Sequence, residues 1–278
     1  MIPAHPLFAA LAPYRDLLAS RDVDGMSALL AQNHGPLRFV AQTAELLGDG
    51  LHYEQRIAER GLIATRESST HDLFNAAMWL QHPELKRAMN ARQAADIARV
   101  GAKLRTRGQC ALTHFDEAGA IVWLDGDDLV AAWDAHDWPT LFEMHRDAWG
   151  LRIALTIIGH ALYDYALAHG EMPVAKALAV RVDRDEIEAR SNAAQIAGWP
   201  EAEAAVAADI AAGRLLADPQ ELRPLPFAGI PGFAEFDARA PCFRPARPGR
   251  RYPEPRPPGG QGSRSIAREN ALDATAAR

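Results

Sequence analysis

Helical spacing of apolar residues recurs along most of the first 212 positions, and glycine and proline repeatedly cut it short, which confines the chain to a set of separate, modest helices. Residues 7–19 and 26–32 carry that spacing, and residues 53–60 close at Gly61, a natural left-handed stop. The polar loop Thr65-Arg66-Glu67-Ser68-Ser69-Thr70 leads into a helix over 71–81. His82-Pro83-Glu84 starts another, with proline and an acid in its first turn, expected to reach about residue 104. The period then changes to alternation in Ala111-Leu112-Thr113-His114-Phe115 and in Ala120-Ile121-Val122-Trp123-Leu124. With Asp116-Glu117-Ala118-Gly119 as the turn, this predicts a β-hairpin. Asp125-Gly126-Asp127-Asp128 can cap a helix from about Leu129. Trp138-Pro139 opens a longer helical region, jointed at Gly150 and ended by Gly170 and Pro173. A third short strand over 178–182 and helices over 185–197 and 201–212 complete the expected body: mainly α, one helical domain over 1–238 with a small hairpin.

The segment Leu225-Pro226-Phe227-Ala228-Gly229-Ile230-Pro231-Gly232-Phe233 is too apolar for a free linker and is expected to dock on that body. Beyond Ala238 proline, glycine and arginine dominate, so residues 239–278 are expected to form a disordered tail. The tail also hides a charge asymmetry. Its nine arginines against Glu254, Glu269 and Asp273 make +6, which leaves −12 for residues 1–238 out of a net −6. An acidic body argues against a nucleic-acid surface. Arginine outnumbers lysine 27 to 3 throughout, so the basic tail follows the composition of the whole chain.

The apolar run over 151–167 is interrupted by Arg152, His160 and Asp164, which reads as a buried helix rather than a membrane span. The first residues, Met1-Ile2-Pro3-Ala4-His5-Pro6, lack the pattern of a secretory signal. Cys110 and Cys242 are too few for a disulfide framework or a cysteine-held zinc. A soluble chain of the cytoplasm is therefore expected. G-x-S-x-G, P-loop, dinucleotide and H-E-x-x-H patterns are all absent, which removes support for the commonest hydrolase, nucleotide and zinc-protease classes.

Three polar groups could carry chemistry. In His71-Asp72-Leu73-Phe74-Asn75, His71 and Asn75 share a helix face, with Asp72 about a hundred degrees round it. Imidazole with carboxylate can hold a divalent metal or act as acid and base, but Ser69-x-x-Asp72 also has the form of a capping box. In the expected hairpin, alternation sets His114 and Asp116 on one face, where they can converge on a ligand; an aspartate opening a turn is equally at home there. Gly159-His160 lies within the apolar run, with Asp164 one helical turn on. That pair is either a structural hydrogen bond or a histidine ligand oriented by a carboxylate. Lys86 and Asn90, four apart, and Arg66 in the loop are candidates for an anionic substrate, and simple solvation would also account for such residues on helices.

The blocks His71-Asp72-Leu73-Phe74-Asn75-Ala76 with Trp79-Leu80, Pro83 to Lys86 with Asn90, Leu112-Thr113-His114-Phe115-Asp116-Glu117 with Gly119, Gly159-His160-Ala161, and Pro224-Leu225-Pro226 with Gly229-Ile230-Pro231-Gly232 follow one another in order between about residues 7 and 233. In this the chain resembles the bacterial family known as domain of unknown function 3025. The resemblance implies a cytoplasmic protein and supplies no activity. Asp164 stands where it leads one to expect a glutamate, a carboxylate of longer reach, and the tail lies outside it. The His71-Asp72 doublet is also similar to that of the helical metal phosphohydrolases. Those usually follow it with a small residue, where this chain has Leu73-Phe74, and a further histidine would have to be His34 or His52.

Two functions from different classes follow. In the first, His71, Asp72, His114, Asp116 and His160 hold one divalent metal ion that activates water for hydrolysis of a phosphate ester or similar small anion. There Asp164 orients His160, Asn75 shares the site, and Arg66 and Lys86 neutralise the substrate. In the second, the chain is a protein-binding or scaffolding module, and the same residues are caps and internal hydrogen bonds. Convergence of three or more of these side chains on one concavity distinguishes the two.

Overall fold

A computed structural model describes residues 2–182 and 200–234. At its centre lies a four-stranded sheet in the order β4-β3-β5-β6, made of β3 (Gly119–Leu124), β4 (Ile153–Ile157), β5 (Val174–Arg181) and β6 (Arg223–Pro226). β3 pairs antiparallel with β4 and parallel with β5, and β5 pairs antiparallel with β6. Every residue of β3 is buried because helices cover both faces of the sheet. Ala120, Val122 and Leu124 enter one apolar cluster with Leu73, Phe74, Trp133 and Tyr163. Ile121 and Trp123 enter the other with Leu85, Leu112, Phe115 and Ile210. Each such large side chain contributes about 1.5–3 kcal/mol on leaving water.

The helices are α1 (Arg15–Ser20), α2 (Val23–His34), α3 (Ala44–Leu47), α4 (Tyr53–Arg60), α5 (Thr70–Gln81), α6 (Pro83–Val100), α7 (Arg107–Ala118), α8 (Asp127–Ala135), α9 (His160–His169) and α10 (Pro200–Ala211). α4 ends at Gly61 in the left-handed conformation, φ 67°, as its sequence predicts. α6 stops at Val100, four residues short of the expected end. A parallel two-stranded sheet, β1 (Arg38–Ala41) with β2 (Leu62–Thr65), lies outside what the spacing predicts. Helix is the commonest element, as expected, but it is arranged around a sheet rather than beside a hairpin.

The hairpin is the main correction. Residues 111–115 are the middle of α7, and only its second strand exists, as β3. Thr106 decides this. Its hydroxyl accepts from the Gln109 amide at 3.0 Å, and the Gln109 side chain accepts from the Thr106 amide at 2.9 Å, a capping box that commits the following turn to helix. Ala111, Leu112 and Phe115 then share a buried helical face. The long helix expected from Trp138 is also replaced. The β-branched residues Ile153, Thr156 and Ile157 take the first part of the apolar run into β4, and α9 begins only at His160.

The segment from Leu225 docks on the body as its apolar content predicts: Leu225, Phe227, Ile230 and Phe233 are buried. The ring of His5 lies 2.8 Å from the Phe233 carbonyl and ties the two ends of the described chain together. The helix expected over 185–197 and the tail over 239–278 fall outside the described residues. Among the described residues, no helix is long and apolar enough to cross a membrane.

Candidate metal centre

The first turn of α5, the last turn of α7 and the start of α9 meet at one point, and two glycines make the meeting possible. A Cβ on Gly159 would stand 2.4 Å from the Gly119 nitrogen and 2.5 Å from the Ala118 Cα, so no side chain fits at that position. The amides of Ile158 and Gly159 both donate to the Gly119 carbonyl, at 3.0 and 2.8 Å. This contact sets His160 beside Asp116 and Glu117, and α5 brings His71 across to meet it.

His71 Nε2 and His160 Nε2 are 2.9 Å apart. Glu117 Oε2 lies 3.6 Å from the first and 3.5 Å from the second. A circle through the three atoms has a radius of about 1.9 Å, so an ion about 2.0–2.1 Å from each donor would sit just off their plane. The donor set suits a divalent transition metal, since two imidazoles and one carboxylate leave coordination positions open. The His160 side chain is 4% exposed, against 34% for His71 and 46% for Glu117, so the open side faces solvent.

The proton positions favour the same occupant. Asp164 Oδ2 stands 3.7 Å from Nδ1 of His71, which favours a proton on that nitrogen and directs the Nε2 lone pair at the triad. Nδ1 of His160 is buried and has no hydrogen-bond partner among the described residues. Burial above all, helped by Lys86 and His71 and opposed by Asp116, brings the His160 ring down to about 3, which leaves it a neutral lone-pair donor. Two Nε2 atoms and a carboxylate therefore converge, an arrangement that a cation between them stabilises; without one, the 2.9 Å separation fits an N–H···N hydrogen bond between the rings.

A polar network backs the triad. Lys86, almost fully buried, donates to Asp116 Oδ1 in a short contact and to Asn75 Oδ1 at 2.8 Å, with its ammonium 5.3 Å from the centre of the Trp79 ring. Asn75 in turn donates to the Tyr53 hydroxyl at 3.0 Å. Burial works against ionisation of Asp116, but the Lys86 ammonium outweighs it and holds the carboxyl below its ordinary range. Its second oxygen has no protein hydrogen bond among the described residues. Glu54 is pushed the other way, up to about 7, by burial first and then by the Asp116 charge, against Asn90 and Lys86. Asn90 Nδ2 donates to Glu54 Oε2 at 2.6 Å and to its carbonyl at 2.9 Å.

The triad, Asp116, Asn75, Tyr53 and Glu54 line one concavity of about 280 Å³, with His52, Arg66 and Arg105 around them. Of the residues expected to hold metal, the structure brings His71 and His160 together. His114 is exposed on α7 and does not reach them, because two residues on a helix point about 200° apart instead of to one strand face. Asp116 lines the concavity but joins Lys86. Asp72 also lines it, yet Arg66 grips both its oxygens, at 2.8 and 2.9 Å, and Ser69 donates to it at 3.1 Å, so the capping and loop-closing use prevails. Arg66 is accordingly not free for a substrate. Asp164 faces His71 rather than orienting His160, and Lys86 and Asn75 support the site from below. His52 caps α4, accepting from the Glu54 amide at 3.3 Å, and stands apart from the triad. Glu117 was not expected as a ligand; Thr113, Asp116 and Glu117 have helical spacing, and reading α7 as a helix would have exposed it.

No curated protein and no solved structure matches the chain. The model of one family, described as Protein of unknown function (DUF3025), matches residues 37–247, which include His71, Glu117, His160 and all the side chains around them. The chain belongs to this family, whose shared region carries the whole candidate metal centre.

Proposed function

We propose that the protein is a hydrolase in which His71, Glu117 and His160 hold one divalent ion that activates water against a small phosphate ester or a closely similar anionic substrate. The observation that carries this reading is the 2.9 Å approach of two Nε2 atoms with Glu117 Oε2 beside both. A bound ion of this kind lowers the pKa of its water towards neutrality and polarises the substrate oxygen. The chain's own residues supply the rest. Asp116, ionised and held by Lys86, offers its free oxygen as proton acceptor next to the triad. Arg105 lines the concavity and pairs with no carboxylate among the described residues, so its charge is available to an anion. The volume of about 280 Å³ suits a small substrate rather than a polymer.

Elemental analysis of the purified protein, with assay of p-nitrophenyl phosphate hydrolysis, tests the proposal against Glu117→Gln and His160→Ala. The expected result is one zinc, manganese or iron per chain in the wild type, lost together with hydrolysis in both variants. Absence of any bound ion after reconstitution, or an ion whose removal leaves hydrolysis unchanged, would overturn it.

A further inference from the structure

The carboxyl of Glu54 has no part in holding the ion, yet it lines the same concavity from α4. Its two oxygens differ. Oε2 accepts from Asn90 at 2.6 Å, and the same amide accounts for the Glu54 carbonyl at 2.9 Å. Oε1 has no hydrogen-bond partner among the described residues. A proton on this carboxyl therefore belongs on Oε1, because an amide N–H already faces Oε2. The groups around it are Asp116 from α7, Lys86 and Asn90 from α6, Tyr53 beside it on α4, and His52 and Arg105 at the mouth.

Resting on the hydrolase reading above, we propose that Glu54 is the general acid of this site, donating its Oε1 proton to the leaving oxygen of the ester. In that step the activated water attacks phosphorus and gives its proton to Asp116. The bond from phosphorus to the ester oxygen breaks, and that oxygen takes the Glu54 proton and leaves as an alcohol. Solvent then returns a proton to Glu54 and removes one from Asp116, so charge and atoms balance over the cycle.

Two carboxyls in one site are thus divided by environment, one bound to an ammonium and the other to an amide in a buried position. Tyr53 is a poorer donor for this role, because burial pushes its phenol well above the ordinary tyrosine range, far from neutral pH.

The test compares wild type and Glu54→Gln, both loaded with the ion found in the wild type, on two esters. p-Nitrophenyl phosphate releases an anion that needs no proton, whereas a simple alkyl phosphate releases an alkoxide that does. The expected result is an unchanged ion content, a loss of roughly 10²–10⁴-fold in kcat for the alkyl ester, and a loss of less than about tenfold for the nitrophenyl ester. The wild-type rate on the alkyl ester should also fall above about pH 7, a limb missing in the variant. Equal losses on the two esters, or a basic limb kept by the variant, overturn the role of Glu54 while leaving the metal site standing. An ion bound without hydrolysis of either ester overturns both the hydrolase reading and this role, and no ion bound at all overturns the metal centre itself.

Discussion

The imidazoles of His71 and His160 stand with Nε2 atoms 2.9 Å apart, although 89 positions separate them in the chain. Their rings meet at 73° with centroids 4.4 Å apart, edge against face, so the approach is directed through the nitrogens and not through stacking. With Glu117 completing the set, a matching ion should stabilise the folded protein by mass action. At a free zinc concentration about a hundred times the dissociation constant the gain is about 2.7 kcal/mol, or roughly 5–10 °C in Tm for a domain of this size. Differential scanning calorimetry of metal-free protein with and without zinc measures it. His160→Ala should abolish the shift, and an equal shift in that variant would mean that the ion binds elsewhere.

Gly159 is the position on which the geometry of the centre depends. Its replacement by alanine puts a methyl within 2.4–2.6 Å of the Gly119 and Ala118 backbone, where no flexible side chain can give way. The start of α9 must then retreat from the end of α7, at a cost of about 3 kcal/mol or more. Urea denaturation of Gly159→Ala should show that loss together with weakened metal binding. Full retention of both would mean that the two helices are less tightly apposed than the structure shows.

Lys86 and Asp116 form a pair in which the lysine is almost wholly buried. Asp116→Asn leaves the ammonium with Asn75 and the Trp79 face but without its counter-charge, and should cost roughly 3 kcal/mol. Adding Lys86→Met removes the stranded charge and should recover most of that stability, because a buried apolar chain of similar length needs no partner. A double-mutant cycle by urea denaturation checks this; strictly additive losses would show that the pair is uncoupled.

Much of this site can be read from the order of residues, and the failures have identifiable causes. His71 is recognisable because it shares a helix face with Asn75 beside Asp72, and His160 because a histidine within an apolar run needs a partner. Gly61, Pro83 and Ser69 mark helix ends through local backbone chemistry, which needs no knowledge of the rest of the fold. The misreading of residues 111–115 arises because Ala111, Leu112 and Phe115 fit two periods at once, and the deciding signal, Thr106 with Gln109, lies outside the alternating stretch. That single error moved His114 into the site and kept Glu117 out of it. The neighbours of β3 come from 153–157 and 174–181, and such long-range pairing leaves no mark in local spacing. Asp72 was ambiguous for a different reason. Capping and metal ligation ask for the same residue, and only the position of Arg66 decides between them.

Glu54 gives a prediction that needs neither substrate nor metal. Its carboxyl titrates near 7 in the folded protein against 4.5 for an exposed glutamate, with burial as the leading cause. Between those two values the folded state keeps a proton that the unfolded chain has released. The contribution of Glu54 to stability therefore falls as pH rises from about 4.5 to 7 and levels off above that, by up to roughly 3 kcal/mol, while the depressed His160 ring acts in the opposite direction over part of the same window. Glu54→Gln keeps the shape and an acceptor for Asn90 but has no proton to lose, so its stability lacks this component. The difference, variant minus wild type, should grow steadily across the same window and be constant on either side. Paired urea titrations at several pH values measure it directly. A difference that stays flat from pH 4.5 to 7 would mean that Glu54 ionises as freely in the folded protein as in water, and a carboxyl of that kind could not hold a proton for a leaving group at neutral pH.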